Sequence, residues 1–154
     1  MKHQKTAFSF VELIIIVVFL GIFAFIAVPR FDYAIISRQK ADTTARKIVT
    51  DLRLTRSLAV SDAANNTQGF ELKMVGIVPY HKYEIENTKT KATFAAHTID
   101  SDISISTPTG IRFIFGPLGN LTPGSASQMI VSAEGRSFSI TINRATGTIK
   151  CVEN

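Results

Sequence analysis

The sequence predicts an α+β fold in which a long N-terminal helix, its first half transmembrane, packs on an antiparallel β-sheet or β-sandwich. Three observations support this prediction: an apolar block near the N-terminus, a helical rhythm of small and apolar residues after it, and short alternating segments separated by turn residues. The expected organisation is a leader at 1–7, an apolar helix at 8–28, an amphipathic continuation of that helix at 29–66 and a β domain at 67–154.

The apolar block at 8–28 is long enough to cross a bilayer. As a helix rising about 1.5 Å per residue it would reach about 30 Å, the thickness of the hydrocarbon core. Lys2 and Lys5 precede the block, so the N-terminus is expected in the cytoplasm and the rest of the chain on the other side of the membrane. An ordinary secretory signal peptide and a plain signal anchor are the alternative interpretations of such a block.

Glu12 is the one charged residue inside this block. A carboxylate in a membrane helix costs about 2.5–3.5 kcal/mol on insertion scales, so it needs a neutralising partner. The block contains no basic residue that could neutralise this carboxylate. The partner would therefore be the chain's own N-terminus after processing, a neighbouring subunit or a lipid headgroup.

The chain keeps a helical rhythm after Pro29. Small and apolar residues recur at spacings of four and three, which places them on one face of a helix. This apolar face needs a sheet to cover it. The helix is expected to end near Asn65 and Asn66, two residues that tolerate the left-handed conformation. The stripe on this face consists of Ala41, Ala45, Ile48, Leu52, Thr55 and Ala59.

The last part of the chain is predicted to form a sheet. Its alternating segments are bounded by Gly and Pro, and the connections are too short for helical crossovers, which favours antiparallel hairpins. The clearest hairpin joins 138–143 to 148–152 through the sequence RATG. The predicted strands are 70–75, 82–86, 102–106, 111–115, 128–132, 138–143 and 148–152.

The residues around Glu12 read KTAFSFVEL and resemble the processing motif of type IV prepilins. In that family a short basic leader is removed in front of a Phe, and a Glu stands fifth in the mature chain. A cut between Ala7 and Phe8 makes Glu12 the fifth mature residue, and it places Gly21 and Pro29 where pilins commonly carry Gly and Pro. The family prefers Gly at the position that Ala7 occupies.

This resemblance implies a structural subunit without a cofactor, and not an enzyme. Prepilin peptidase would remove the leader and methylate the amine of Phe8, which keeps its positive charge. In the filament that amine would face Glu12 of an adjacent subunit, while Gly21 and Pro29 would soften the helix locally. The implied location is the bacterial inner membrane, single-pass, with the C-terminal domain in the periplasm. The implied partners are other pilins or pseudopilins, the peptidase and the secretion or pilus assembly platform.

Two later segments indicate which group of pilin-like proteins the chain resembles. The sequences DLRLTRSLAVSDAANN and EGRSFSITINRATGTIKC look like the GspH/FimT group of minor pseudopilins. Members of that group sit in type II secretion pseudopili or at the tip of type IV pili, and their globular domain is a β-sandwich-like pair of sheets packed on the helix. The sequence leaves open whether a secretion, pilus or competence system uses this chain.

A DNA-binding module at a pilus tip is an alternative function, since some members of this group capture DNA. The formal net charge of +5 is a mild excess that does not by itself indicate a nucleic-acid partner. Glu134 and Glu153 interrupt the basic residues of the β domain, and no aromatic residues interleave with them. The candidate DNA contacts are Arg112, Arg136, Arg144 and Lys150.

The sequence predicts neither a metal site nor a catalytic site. His81 and His97 are expected in or beside loops and lack the spacing of zinc motifs. The pair Asp100 and Asp102 offers too few oxygen ligands for calcium. Cys151 is the single cysteine, which excludes an intrachain disulfide, and no second Cys or adjacent His supports a functional thiol.

Overall fold

The computed structural model describes residues 9–27 and 33–154, and the chain divides into two compact units, Met1–Asp32 and Tyr33–Asn154. The first unit contains helix α1, and the second contains helix α2 followed by strands β1 to β8. The elements are α1 (Phe10–Ala27), α2 (Tyr33–Ser61), β1 (Phe70–Val75), β2 (Lys82–Asn87), β3 (Thr93–Thr98), β4 (Ser104–Ser106), β5 (Arg112–Phe115), β6 (Gln128–Ala133), β7 (Arg136–Ile142) and β8 (Ile149–Glu153).

The prediction of one long N-terminal helix with a transmembrane first half is wrong. The structure has two separate helices, α1 of 18 residues and α2 of 29 residues, which belong to different units. Among the described residues, no helix has both the length and the apolar character that crossing a membrane requires. The prediction joined two helical patterns across Pro29, which lies outside the described residues. A proline lacks a backbone N–H and disfavours helical backbone in the residue before it, so the two patterns need not form one helix.

Helix α2 buries the predicted stripe. Ala41, Ala45, Ile48, Leu52 and Thr55 have no exposed surface, because this face packs on both sheets. The opposite face is polar and carries i, i+4 pairs that support the helix, such as the Asp42–Arg46 ion pair at 3.0 Å.

The helix ends at Ser61, a few residues before the predicted stop. A turn follows, in which the buried side chain of Asn66 holds the backbone. Its Oδ1 accepts hydrogen bonds from the backbone N–H groups of Gln68 and Gly69, and its amide donates to the Gly69 carbonyl at 2.6 Å. Asn66 therefore fixes the path by which the chain leaves α2 and enters the first sheet.

The strands form two four-stranded antiparallel sheets. The strand order is β3-β2-β1-β5 in the first sheet and β4-β6-β7-β8 in the second. In the first sheet Leu72 lies opposite both Ile85 and Phe113, and all three are fully buried. In the second sheet Met129 lies opposite Ile140, and both are buried. Apolar residues from both sheets and from α2 thus form one core.

All seven predicted strands are present, with ends shifted by at most two residues, and the predicted hairpin joins β7 to β8. The strand that sequence reasoning missed is β3. It is an edge strand of the first sheet, and its side chains are exposed or only half-buried. Its sequence, TFAAHT, therefore lacks the apolar alternation by which the other strands were recognised.

Candidate assembly helix and polar clusters of the β domain

Helix α1 is apolar on all sides. It begins after Ser9, whose carbonyl accepts hydrogen bonds from the backbone N–H groups of Glu12 at 3.0 Å and Leu13 at 3.2 Å. Three consecutive side chains, which point to different sides of the helix, have similar exposed fractions in the single chain: 46% for Ile14, 49% for Ile15 and 46% for Ile16. Large apolar side chains are thus exposed all around the helix between Phe10 and Phe23, and such a helix is stable when lipid or other helices cover it.

Two of the predicted assembly residues lie on α1. Glu12 is exposed in the first turn, where a carboxylate interacts favourably with the positive end of the helix dipole. Gly21 is in open space, because a Cβ added there would meet no atom within 4 Å. Packing within this chain therefore does not require a glycine at position 21. Ala7 and Phe8, the predicted cleavage residues, and Pro29, the third assembly residue, lie outside the described residues.

Arg112 of β5 is held by a buried carboxylate, Glu71 of β1. Its Nε and Nη2 donate to the two carboxylate oxygens at 2.5 and 2.7 Å, and Nζ of Lys91 lies 3.4 Å from Oε1. Burial opposes ionisation of Glu71, but the hydrogen bonds and charges of Arg112 and Lys91 outweigh it and lower the pKa of this carboxyl. The Arg112 charge is therefore largely neutralised inside the protein.

The other three predicted DNA contacts belong to the second sheet or its β7–β8 turn. Arg136 forms a two-point ion pair with Glu153, and its guanidinium lies 5.4 Å from the ring centre of Phe138. Arg144 follows β7 and contacts Ser127, while Lys150 is exposed on β8. Two of the four predicted contacts are thus paired with carboxylates, and the four are divided between two sheets. Among the described residues, Arg144 and Lys150 make no ion pair, so the charge that the predicted patch could offer is reduced to these two residues of the second sheet and its turn.

Asp100 and Asp102 share a lysine. The ammonium of Lys40 lies 3.1 Å from Oδ2 of each aspartate, and these hydrogen bonds raise its pKa. A positive group thus lies where a bound cation would have to sit. Nor do the described residues contain a group of three or more His, Cys, Asp and Glu side chains that could hold a metal ion.

Sequence reasoning missed a polar cluster between α2 and the first sheet, in which Tyr83 and Asp51 are buried. Tyr83 of β2 donates a 2.5 Å hydrogen bond to Oδ2 of Asp51, and Nε2 of His97 lies 3.6 Å from the same oxygen. Lys47 donates to Nδ1 of His97 at 3.1 Å. Burial, together with the hydrogen bond to Asp51, raises the pKa of the Tyr83 hydroxyl. These residues are far apart in the chain, and none of them forms a recognisable local motif.

Cys151 is exposed on β8, beside a groove that it forms with Arg46 and Glu153. Partial burial raises the pKa of its thiol, although Arg46 acts in the opposite direction. The thiol is therefore protonated at neutral pH, and this position lacks the thiolate of a reactive cysteine.

Comparison with known proteins returns no match, whether with protein-family models, with curated proteins or with solved structures. The observations that bear on function are therefore those of the chain itself. They are the predicted processing motif around Glu12, the exposed apolar surface of α1 and the ion pairs that hold Arg112 and Arg136 in the β domain.

Proposed function

We propose that this chain is a minor pilin or pseudopilin, a structural subunit of a type IV pilus or a type II secretion pseudopilus. The observation that carries the proposal is the position of Glu12, a lone carboxylate in an apolar block, four residues after a candidate cleavage site at Phe8. The exposed apolar surface of α1 supports it, because that surface requires lipid or neighbouring helices to cover it.

The mechanism we propose begins with processing. Prepilin peptidase cuts between Ala7 and Phe8 and methylates the new amine, which stays positively charged. Before assembly the apolar segment 8–28 holds the subunit in the inner membrane, with the second unit in the periplasm. Assembly then transfers this segment from lipid into a bundle of equivalent segments from other subunits.

Within that bundle the amine of Phe8 pairs with Glu12 of a neighbour. Opposite charges in an apolar environment are poorly screened, and leaving one of them unpaired costs about 3–5 kcal/mol. Axial shifts between neighbouring subunits that would separate the Phe8 amine from the Glu12 carboxylate are therefore strongly disfavoured. The pair determines the register of the subunits more than it adds to the stability of the filament.

The contacts of the β domain suit a displayed structural unit better than a DNA-binding tip. Arg112 and Arg136 are committed to Glu71 and Glu153, so they offer little charge to a phosphate backbone. We expect the Arg112→Met and Arg136→Met variants to alter the stability of the domain, and to leave filament assembly unchanged wherever the domain remains folded.

Glu12→Gln tests the pairing directly, since it removes the charge and keeps the shape of the side chain. The variant should remain in the membrane fraction and should be absent from sheared filaments or from pseudopili isolated by affinity. Ser9→Ala is the matched control, because it changes a polar but uncharged residue of the same block and should assemble normally. Normal incorporation of the Glu12→Gln protein would contradict the mechanism.

Mass spectrometry of the intact protein, with and without an active prepilin peptidase, tests the processing step. We expect the mature chain to begin at a methylated Phe8 when the peptidase is present, and at Met1 when it is absent. Ala7→Gly restores the residue that the family prefers and should be processed at least as completely. A chain that still begins at Met1 beside an active peptidase would instead support an unprocessed, signal-anchored periplasmic domain.

A further inference from the structure

Strand β8 is an edge strand of the second sheet, and it pairs with β7 alone. The two ends of this pairing are bonded through Thr148, whose carbonyl accepts from Asn143, and Asn154, whose N–H donates to Ser137. Backbone groups alternate between the two sides of a strand, so every second residue of β8 directs its N–H and C=O groups away from β7. These residues are Ile149, Cys151 and Glu153. Among the described residues, no hydrogen bond reaches their outward groups from another element.

The other edges of the two sheets are covered or irregular. At β5 the edge is bonded by the loop that follows it, in which Thr122 donates to the Ile114 carbonyl at 2.9 Å. Strand β4 has three residues, and Tyr80 donates to the Ile105 carbonyl on its outer side. Strand β3 shifts its register against β2 beside Ile85, an irregularity that commonly protects edge strands. Strand β8 is therefore the regular edge that stays open.

The open edge borders a groove between β8 and α2, which has a volume of about 420 Å³. Cys151 of β8 and Arg53 of α2 line this groove. Val49 and Phe138 line it as well, and they are only 7% and 5% exposed, so its base is apolar. Because side chains alternate along a strand, a strand added to β8 places every second side chain in the groove.

The groove carries one uncompensated positive charge. Its two carboxylates are paired, since Arg46 lies 3.0 Å from Asp42 and Arg136 donates to Glu153 at 2.9 Å. Arg53 is exposed, and within the part of the chain that the structure describes it makes neither an ion pair nor a hydrogen bond. A guanidinium of this kind suits a carboxylate ligand.

We infer that β8 accepts an antiparallel strand from another protein, an extended segment that carries a carboxylate side chain. The added strand bonds to the outward backbone groups of β8 and brings its carboxylate to Arg53 in the groove. Antiparallel pairing is the arrangement of every strand pair in both sheets. The inference goes beyond the proposed function and does not depend on it, because it uses only contacts within the second unit.

A second copy of the chain is a less suitable occupant of this edge. Antiparallel pairing of β8 with its copy requires a two-fold axis perpendicular to the sheet, which places both α2 helices on the same side. The uncompensated Arg53 of each copy would then face the other. Lys150, which makes no ion pair with the described residues, would add further positive charge on the outer side of each β8. Like charges brought together in this way repel.

The test uses a capped, fluorescein-labelled peptide, Thr-Val-Thr-Glu-Thr-Val-Thr, and the full-length chain in non-ionic detergent. In an added strand Val, Glu and Val face the groove, while the threonines continue the outer face that carries Ser139 and Thr141. We expect fluorescence anisotropy to show binding, and a Gln in place of the Glu to weaken it about two- to five-fold. Arg53→Gln should remove this difference between the peptides. Absence of binding at millimolar peptide, or equal binding of both peptides to the wild type, would contradict the inference.

N-methylated peptides test the backbone bonds. In antiparallel addition the N–H groups of Val, Glu and Val point to β8, and those of the threonines point away. Methylation of the first set should weaken binding at least about tenfold, whereas methylation of the threonines should leave it nearly unchanged. Equal binding of the two methylated peptides, or the reverse order, would exclude antiparallel addition.

Cys151→Pro tests the edge on the side of the protein. It removes an N–H that faces the added strand and makes no bond to β7, and proline is tolerated at such edge positions. Ala96→Pro is the matched control on β3, where the bond from the Ile99 N–H to the His81 carbonyl implies that the Ala96 N–H also points outward. Cys151→Pro should weaken peptide binding at least about tenfold, and Ala96→Pro should not. Unchanged binding by a Cys151→Pro protein that melts like the wild type would refute the site.

Hydrogen exchange followed by NMR identifies the occupant without any variant. The amides of Ile149, Cys151 and Glu153 should exchange rapidly in the free chain, and saturating peptide should slow them at least about tenfold. Exchange that the peptide leaves unchanged at these amides would overturn strand addition. Protection that is present without peptide and increases with protein concentration would assign the edge to a second copy of the chain.

Discussion

Tyr83 donates a hydrogen bond of 2.5 Å from its hydroxyl to Oδ2 of Asp51, and this bond links β2 to α2 inside the protein. Tyr83 is 1% exposed and Asp51 is 8% exposed, so little water reaches either group. His97 lies 3.6 Å from the same oxygen and 5.3 Å from the Tyr83 ring, which extends the link to β3. This cluster fixes the first sheet on the helix through polar groups, in addition to the apolar core.

Tyr83→Phe should destabilise the second unit by about 1–3 kcal/mol, because it leaves a buried carboxylate oxygen without its shortest hydrogen bond. Denaturant unfolding followed by circular dichroism measures the loss. Tyr80→Phe is the matched control. Tyr80 is also buried, and within the described part of the chain its hydroxyl makes no hydrogen bond. Equal losses in the two variants would show that the bond to Asp51 contributes nothing of its own.

Alkaline pH should remove the stabilisation that Tyr83 provides. The pKa of Tyr83 is raised in the folded protein by burial and by the hydrogen bond to Asp51, so folding favours the neutral hydroxyl. That contribution is complete below the unfolded pKa of about 10 and decreases above it. The difference in unfolding free energy between the wild type and Tyr83→Phe should shrink by about 1.4 kcal/mol per pH unit above pH ~10. A difference that stays constant from pH 8 to 11 would contradict this assignment.

Arg112→Met should destabilise the second unit by leaving Glu71 buried without its main partner. Breaking a buried ion pair costs about 3–5 kcal/mol, and because the Arg112 side chain is 44% exposed we expect about 2 kcal/mol. A double-mutant cycle with Glu71→Gln measures the coupling. The double variant should lose less stability than the two single variants predict together. Additive losses would mean that the two side chains do not interact in solution.

Gly147→Ala should be more destabilising than Gly124→Ala. Both glycines have positive φ, +65° and +82°, so both substitutions cost about 1–2 kcal/mol of backbone strain. A Cβ at Gly147 would also lie 1.8 Å from the carbonyl oxygen of Gly119, whereas a Cβ at Gly124 meets nothing within 4 Å. We expect the crowding to add about 1–3 kcal/mol, measured by the midpoint of urea unfolding. Similar midpoints for the two variants would show that the loop at Gly119 moves aside without cost.

Much of the β domain was predictable, because its signals are local. Alternation over a few residues located seven of the eight strands found within 33–154, and the three-and-four spacing located the buried face of α2. Strand β3 was not predicted, because an edge strand buries too few side chains to require alternating apolar and polar residues. The single long helix was predicted wrongly because helical periodicity on both sides of Pro29 does not establish that the two helices are continuous.

The charged sites were not predictable, for a different reason. Arg112 was a candidate DNA contact under the alternative function, and the pairing of β5 with β1 places it on Glu71. Asp100 and Asp102 were considered as calcium ligands, and packing of α2 placed Lys40 between them. The sequence around a charged residue does not indicate its ion-pair partner when that partner lies on another element of the fold.

The sequence alone determined the buried face of α2, seven of the eight strands found within 33–154 and where the apolar block with its lone Glu12 lies, because periodicity and hydrophobicity depend on near neighbours in the chain. The tertiary structure decided which charges are neutralised, which polar groups meet in the core and which apolar side chains remain outside it. Those outcomes depend on strand register and helix packing, which bring Asp51 to Tyr83 and Glu71 to Arg112 across separations that no local pattern encodes.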